Sequence, residues 1–320
     1  MAKLVESVPN FSEGRRIEVV DKLAAAVESV PGAFLLDRTS DASHNRSVLT
    51  LAGEPAPILE ALERTVAVAV AQIDMERHSG EHPRIGAVDV VPFVPLAGAT
   101  MADCIELARA FGARVAERFA IPVYLYGEAA SSPSRQRLAA VRRGQYEGLK
   151  AGIAEPGREP DFGPAAVHAS AGAMAVGARP FLIAYNINLE SRDLELAKKI
   201  ARRIRESSGG LPRVQANGFW IDELDRAQVS MNLLDYRTTP IWLVWEAVRS
   251  EAAEEGVHLA ESELIGLAPL GALLDVADHA GVSGRLPQTE RLAGAAAFLK
   301  LRDFSPLQAL ELRLEAARGA

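Results

Sequence analysis

Residues 180–236, "PFLIAYNINLESRDLELAKKIARRIRESSGGLPRVQANGFWIDELDRAQVSMNLLDY", decide the fold. "PFLIAYNINL" (180–189) has the apolar run of a strand, and "SRDLELAKKIARRIRESSGG" (191–210) the 3.6-residue periodicity of a helix, with Ser191 as N-cap and Gly209 as its stop. "RVQANGFWI" (213–221) and "AQVSMNLLDY" (227–236) are two further strands. Beyond them, "PIWLVWEAVRSEAAEEG" (240–256) is a helix begun by proline, and "VHLAESELIGL" (257–267) is a last strand. The order is β-α-β-β-α-β.

The first half repeats that order. "LVESV" (4–8), "AFLLD" (33–37), "RSVLTLAG" (46–53) and "IGAVDVVPFVPL" (85–96) read as strands, with helices over 16–30 and 55–73. Pro92 and Pro95 point to an edge position for the last of these strands, or to its early end. Two copies of the pattern imply an α/β (α+β) protein of two ferredoxin-like, or split βαβ, lobes facing each other, divided as 1–179 and 180–320. Between the copies lie a helix over 100–120, with Thr100 and Asp103 at capping-box spacing, a strand over 121–129 and a helical stretch over 134–149. The Gly/Pro/Ala-rich segment 154–180 suits a close-fitting binding loop better than a linker.

The 320 residues are 48% apolar and carry a formal charge of −7, with lysine and arginine dispersed rather than clustered, which argues for a soluble protein that does not bind nucleic acid. The single cysteine, Cys104, excludes a disulfide framework and a cysteine-based zinc site, and fits a reducing cytoplasm. The N-terminus has no export signal, and the longest helical apolar stretch is too short for a bilayer.

Chemistry concentrates in "HSGEHPRIGAVDVVPFVP" (78–95). His78 and His82 have the i, i+4 spacing of a helical metal pair, but Gly80 and Pro83 argue against a helix, so no metal is expected. A loop histidine next to an apolar strand suits proton transfer near neutrality, with Glu81 or Asp89 to orient it; read from the residues alone, a plain turn residue is nevertheless the favoured reading of His82. Asp41, His44, Asn45 and Arg46 crowd one strand-to-strand turn, and "VPNFSEGRR" (8–16) offers a possible anion site or a plain cap by Ser12. No nucleophile elbow, Walker A or dinucleotide fingerprint is present, so neither ATP nor NAD is expected.

"LVESVPNFSEGRR", "HNRSVLTLAG", "GEHPRIGAVDVVPFVPL", "IPVYLYGEA", "DFGPAAVHASAGAMAVGARPFLIAYNINL" and "AQVSMNLLDY", in that order over about residues 4–275, resemble the glutamate formimidoyltransferase family, which forms the N-terminal part of the animal formimidoyltransferase-cyclodeaminases. The resemblance implies transfer of the formimidoyl group from N-formimidoyl-L-glutamate to N5 of the co-substrate tetrahydrofolate, in histidine degradation. It implies two similar lobes around a substrate tunnel, a homodimer, and a cyclodeaminase activity on a separate chain. The family's histidine falls on His82, within Gly80-Glu81-His82-Pro83-Arg84, and its folate segment on Gly163-Pro164-Ala165-Ala166-Val167-His168-Ala169-Ser170-Ala171-Gly172.

Three departures from the family pattern stand out. Ser7 replaces a frequent cysteine, so no thiol is required there. Thr39 stands where the animal enzymes carry an aspartate that assists the histidine, so that role passes to Asp41 or is absent. His168 and Ser170 differ from the animal folate segment. Arg46, Arg84 and Arg135 are the expected partners of the substrate carboxylates. Two rival readings are formyl transfer from N-formylglutamate and a non-catalytic folate-binding protein.

Overall fold

A computed structural model describes residues 2–319. The chain is mixed α and β and divides into two compact units, one running to Pro180 and the other from Phe181.

The first unit begins with a strand broken by Val8 and Pro9 into β1 (Val5–Ser7) and β2 (Asn10–Phe11). Helix α1 (Ile17–Glu28), β3 (Ala33–Asp41), β4 (Arg46–Gly53), helix α2 (Pro55–Gln72) and β5 (Val88–Pro95) follow. The broken first strand lies between β4 and β5, antiparallel to both, and β3 pairs outside β4. In chain order the strands therefore lie 2-3-1-4, as a split βαβ requires. Ile58, Leu62, Val66 and Ala69 of α2, spaced three or four apart, are buried, so one stripe of that helix faces the core.

The sheet then extends by parallel pairing, which the reading of four strands per lobe did not foresee. After helix α3 (Met101–Phe119), opened by the expected Thr100/Asp103 capping box, comes β6 (Val123–Gly127), and β7 (Met174–Ala178) inserts between β5 and β6. The end of the 154–180 segment is thus strand, not loop. The expected helix over 134–149 is broken into a 3-10 turn, α4 (Leu138–Val141) and α5 (Gln145–Gly152), because Gly144 takes a left-handed φ of 82°.

With β7 on its outer side, β5 is an interior strand, which overturns the edge position inferred from its prolines. The register supplies the reason. Pro92 lies opposite the break between β1 and β2, and its carbonyl accepts a 2.7 Å hydrogen bond from the Ser7 hydroxyl. No ladder donor is required of Pro92 on that side, so the missing N–H costs nothing. Ser7 is fully buried in this role, its hydroxyl satisfied by the Pro92 carbonyl.

In the second unit, β8 (Ile183–Leu189), α6 (Leu194–Ile204), β9 (Val214–Ile221), β10 (Arg226–Leu233), α7 (Ile241–Glu254) and β11 (Leu259–Ile265) realise the predicted order, with strands arranged β11-β8-β10-β9, all antiparallel. Alternate residues Tyr185, Ile187 and Leu189 face the helical core, while Asn186 and Asn188 on the other face bond Glu263 and Glu261. Asp193, not Ser191, caps α6: its carboxylate accepts from Leu196 N–H, and Ser191 Oγ accepts from Asp193 N–H. The helix ends at Ile204, and Gly209 closes the 3-10 turn after it.

Candidate active site

Three connections at one end of the first sheet converge on His82: the β2–α1 loop, the β3–β4 turn and the α2–β5 loop. His82, His44, Arg46, His78, Arg84 and Asp89 line a common cleft there, with Asn10 and Ser12. Glycine makes the close approach possible. A Cβ on Gly80 would lie 2.2 Å from the His44 carbonyl oxygen, and one on Gly14 2.3 Å from that of Asp41. Asn45 takes the left-handed conformation asparagine tolerates, and its side chain ties the three loops together. Its Oδ1 accepts from Gly14 N–H at 3.0 Å and its Nδ2 donates to the Ser79 carbonyl at 3.0 Å. Ser12 does not cap α1. Its hydroxyl donates to the Gly86 carbonyl, while the Glu13 carboxylate holds the N–H groups of Arg15 and Arg16.

His82 itself is half-buried, its ring edge-on to that of His44 with 6.3 Å between centroids. Burial pushes its imidazole down to about 3, the guanidinium groups of Arg46 and Arg142 and the neighbouring His44 push the same way, and the Pro83 carbonyl opposes them. At neutral pH the ring is an unprotonated base.

None of the three carboxylates expected to orient this ring does so. Asp41 pairs with His44, its Oδ2 2.9 Å from the His44 Nδ1 and its Oδ1 accepting from the His44 N–H at 2.8 Å. Asp89 is buried, caps the Ile85 N–H at 2.8 Å and forms an ion pair with Arg142. Glu81 is exposed. Asp41 therefore acts on His44, one ring away from His82.

The three expected arginines separate. Arg84 is buried and forks onto Glu147 at 2.9 and 2.7 Å. Arg135 is 2.8 Å from Asp161, bonds the Glu159 carbonyl and lies over the Tyr124 ring. Arg46 remains: its Nε is buried without a hydrogen-bond partner, as is that of Arg142. Burial, then Arg142, lowers the Arg46 guanidinium's pKa below its usual value. A buried donor lacking a partner is costly, so an anion at this point would be held strongly.

The segment 163–172 is of two kinds. Gly163 to Ala166 are exposed, whereas Ala171 and Gly172 are buried in backbone pairing with Gly86 and Ala87 and offer no ligand surface. His168 shapes the turn between them, its Nδ1 accepting from the N–H groups of Ala171 at 3.0 Å and Ser170 at 3.3 Å. The Met75 N–H to Ser170 carbonyl bond, 2.7 Å, ties this turn to the start of the His82 loop. A Cβ on Gly86 would lie 1.8 Å from the Ala173 carbonyl oxygen and 2.7 Å from that of Ala171. Gly86→Ala is therefore expected to cost at least about 3 kcal/mol, the upper range for overpacking, read as a lowered urea midpoint; an unchanged midpoint would contradict this pairing.

Among the described residues, no group of three or more His, Cys, Asp or Glu side chains is disposed to hold a metal ion, and none of their helices is long and apolar enough to cross a membrane. Burial pushes the Cys104 thiol up to about 12, unsuited to nucleophilic work. Sequence reasoning missed Arg142 and Glu147, which lay unremarked in the 134–149 stretch, and weighed His78 as a metal ligand; it is partly buried and bonded on both ring nitrogens.

A family model described as "Formiminotransferase domain, N-terminal subdomain" matches residues 4–179, and one described as "Formiminotransferase domain" matches 184–287. The chain belongs to the formiminotransferase family. As a member of that family it is a transferase, and curated relatives bear this out. It is 45% identical to the glutamate formimidoyltransferase of Streptococcus pyogenes serotype M1, over 87% of this chain and 93% of the relative, and 49% identical to that of Thermoplasma acidophilum, over 86% and 91%. With the formimidoyltransferase-cyclodeaminase of Mus musculus it shares 47% identity over 87% of this chain, but the match covers 52% of the mouse protein.

Proposed function

We propose that this protein transfers the formimidoyl group from N-formimidoyl-L-glutamate to N5 of tetrahydrofolate and releases L-glutamate, the reaction of histidine degradation. The observation that carries the reading is the pairing, in a formiminotransferase, of an unprotonated His82 with a cation, Arg46, whose buried Nε has no partner.

N5 attacks the amidine carbon, and the new C–N bond gives a tetrahedral intermediate. His82 accepts the proton that N5 loses and delivers a proton to the glutamate nitrogen, so that the C–N bond to glutamate breaks with an amine leaving. Proton transfer by a positioned imidazole contributes about 10²–10⁴-fold, and holding both substrates in one cleft supplies much of the rest. Arg46 receives a carboxylate of the donor, where a charge-assisted bond satisfies its idle N–H. Gly163 to Ala166 and Ala169, which are exposed, are the part of the folate segment open to tetrahydrofolate.

The test is purified protein with tetrahydrofolate and formimidoylglutamate, scored for glutamate release, with formylglutamate in a parallel reaction. Release from the formimidoyl donor is expected. Release from formylglutamate alone would make the protein a formyl transferase, and tetrahydrofolate binding without release from either donor would make it a folate-binding protein.

A further inference from the structure

We propose that His78 is a positioning residue for His82: its ring joins the Glu147–Arg84 ion pair to the turn that carries His44, Asn45 and Arg46. The proposal rests on the transferase reading above for its kinetic consequence, and on geometry for its structural one.

Each ring nitrogen of His78 has one partner. Nδ1 accepts from Arg84 Nε–H at 3.1 Å, so the proton must sit on Nε2, which donates to the Asn45 carbonyl at 3.0 Å. Arg84 is held from its other side by the Glu147 carboxylate and by Gln145 Oε1 at 3.1 Å, and its Nη2 also reaches back to the His78 carbonyl at 3.4 Å. The chain thus runs from α5 through Glu147, Arg84 and His78 to the Asn45 backbone. The next residue along is Arg46, and the Asn45 amide returns to Ser79 in the loop that ends in His82.

This fixes the distance between the base and the carboxylate anchor. His82 is borne on the 78–84 loop and Arg46 on the 41–46 turn. Apart from the long Glu81 N–H to Ser43 carbonyl contact of 3.4 Å, the polar bonds that join loop to turn are those of His78 and Asn45.

The clamp needs a neutral imidazole, since a proton on Nδ1 would set two donors against each other. Its surroundings keep it neutral: burial disfavours the imidazolium first of all, the Asn45 carbonyl and Glu13 pull the other way, and Arg84 and Arg15 add to burial. Glu147, the remaining charge in the chain, is taken up by Arg84, which holds it at about 2.

The experiment compares His78→Ala and His78→Gln with wild type in the transfer assay, and follows the imidazole nitrogens of the six histidines by NMR across pH. In wild type, His78 is expected as the Nε2–H tautomer. His78→Ala should lower kcat by about 10²-fold, the scale of an ångström's misplacement, with KM little changed and the His82 resonances and midpoint displaced. Glutamine, whose amide offers one acceptor and one donor, should restore most of kcat and the His82 resonances. A His78→Ala protein with wild-type kcat, or with unmoved His82 resonances, overturns the proposal, as does one that merely melts earlier at full kcat. A glutamine variant no better than alanine overturns it too. Should wild type transfer nothing while His78→Ala still displaces the His82 resonances, the transferase reading fails and the positioning role stands.

Discussion

Replacing His82 by alanine is expected to lower kcat for glutamate release by about 10²–10⁴-fold, the range for loss of a positioned general base, while both substrates still bind. No nearby group can take over the proton. The Asp41 carboxylate is engaged by His44 and that of Asp89 by Arg142. Glu81 is exposed. His44 lies edge-on to the ring, but its Nδ1 is engaged by Asp41 and its centroid lies 6.3 Å from that of His82; the His78 ring is bonded on both nitrogens. The substitution removes a half-buried, uncharged ring and strands no charge, so the variant should melt close to wild type. Folded His82→Ala protein that binds tetrahydrofolate yet releases glutamate at the wild-type rate would remove His82 from the mechanism.

The pattern of the fold was open to sequence reading because each split βαβ signals itself locally. The period switches from 2 to 3.6 and back within about sixty residues, and Thr100/Asp103 or Pro55 mark helix starts. What escaped was decided by partners distant along the chain. Nothing around Pro92 tells that β1 and β2 break opposite it, and without that knowledge a proline argues for an edge. Strand β7 was hidden in small residues: "MAVGA" must pack glycine against the Tyr126 ring, where a Cβ on Gly177 would lie 2.6 Å from a ring carbon.

The site divides in the same way. His82 was singled out only through the family resemblance of Gly80-Glu81-His82-Pro83-Arg84, since spacing alone favoured a turn residue. Its surroundings depend on Arg142, 53 positions from Asp89, and on Glu147, 63 from Arg84, separations at which spacing carries no signal. The carboxylate absent at Thr39 has no substitute on the His82 ring itself; Asp41 went to His44 because both lie on one tight turn, three residues apart.

Arg46→Met is the second substitution expected to have a large effect, and it should appear in two independent measurements. If the unpartnered Arg46 Nε receives a donor carboxylate, losing a charge-assisted bond of about 1.5–3 kcal/mol raises KM for formimidoylglutamate by roughly 10–150-fold, with KM for tetrahydrofolate much less affected. The second measurement is the His82 titration in the free protein. Arg46 disfavours the imidazolium, so its removal raises the midpoint from about 3, and only in part, because burial is the larger cause and Arg142 remains. The sign has a kinetic corollary. Before substrate arrives His82 is too weakly basic to be protonated between pH 5 and 8, so kcat/KM should show no His82 limb in that range. A donor carboxylate set against Arg46 offsets that cation and makes the ring more basic, so the limb in kcat should lie at higher pH than the limb in kcat/KM. Arg46→Lys keeps the charge and should leave the free His82 midpoint near that of wild type, while recovering donor affinity only in part, since an ammonium cannot reproduce the guanidinium fork. If Arg46→Met left both the donor KM and the His82 midpoint unchanged, the anion would have to be held elsewhere, with Arg142 the next residue to replace.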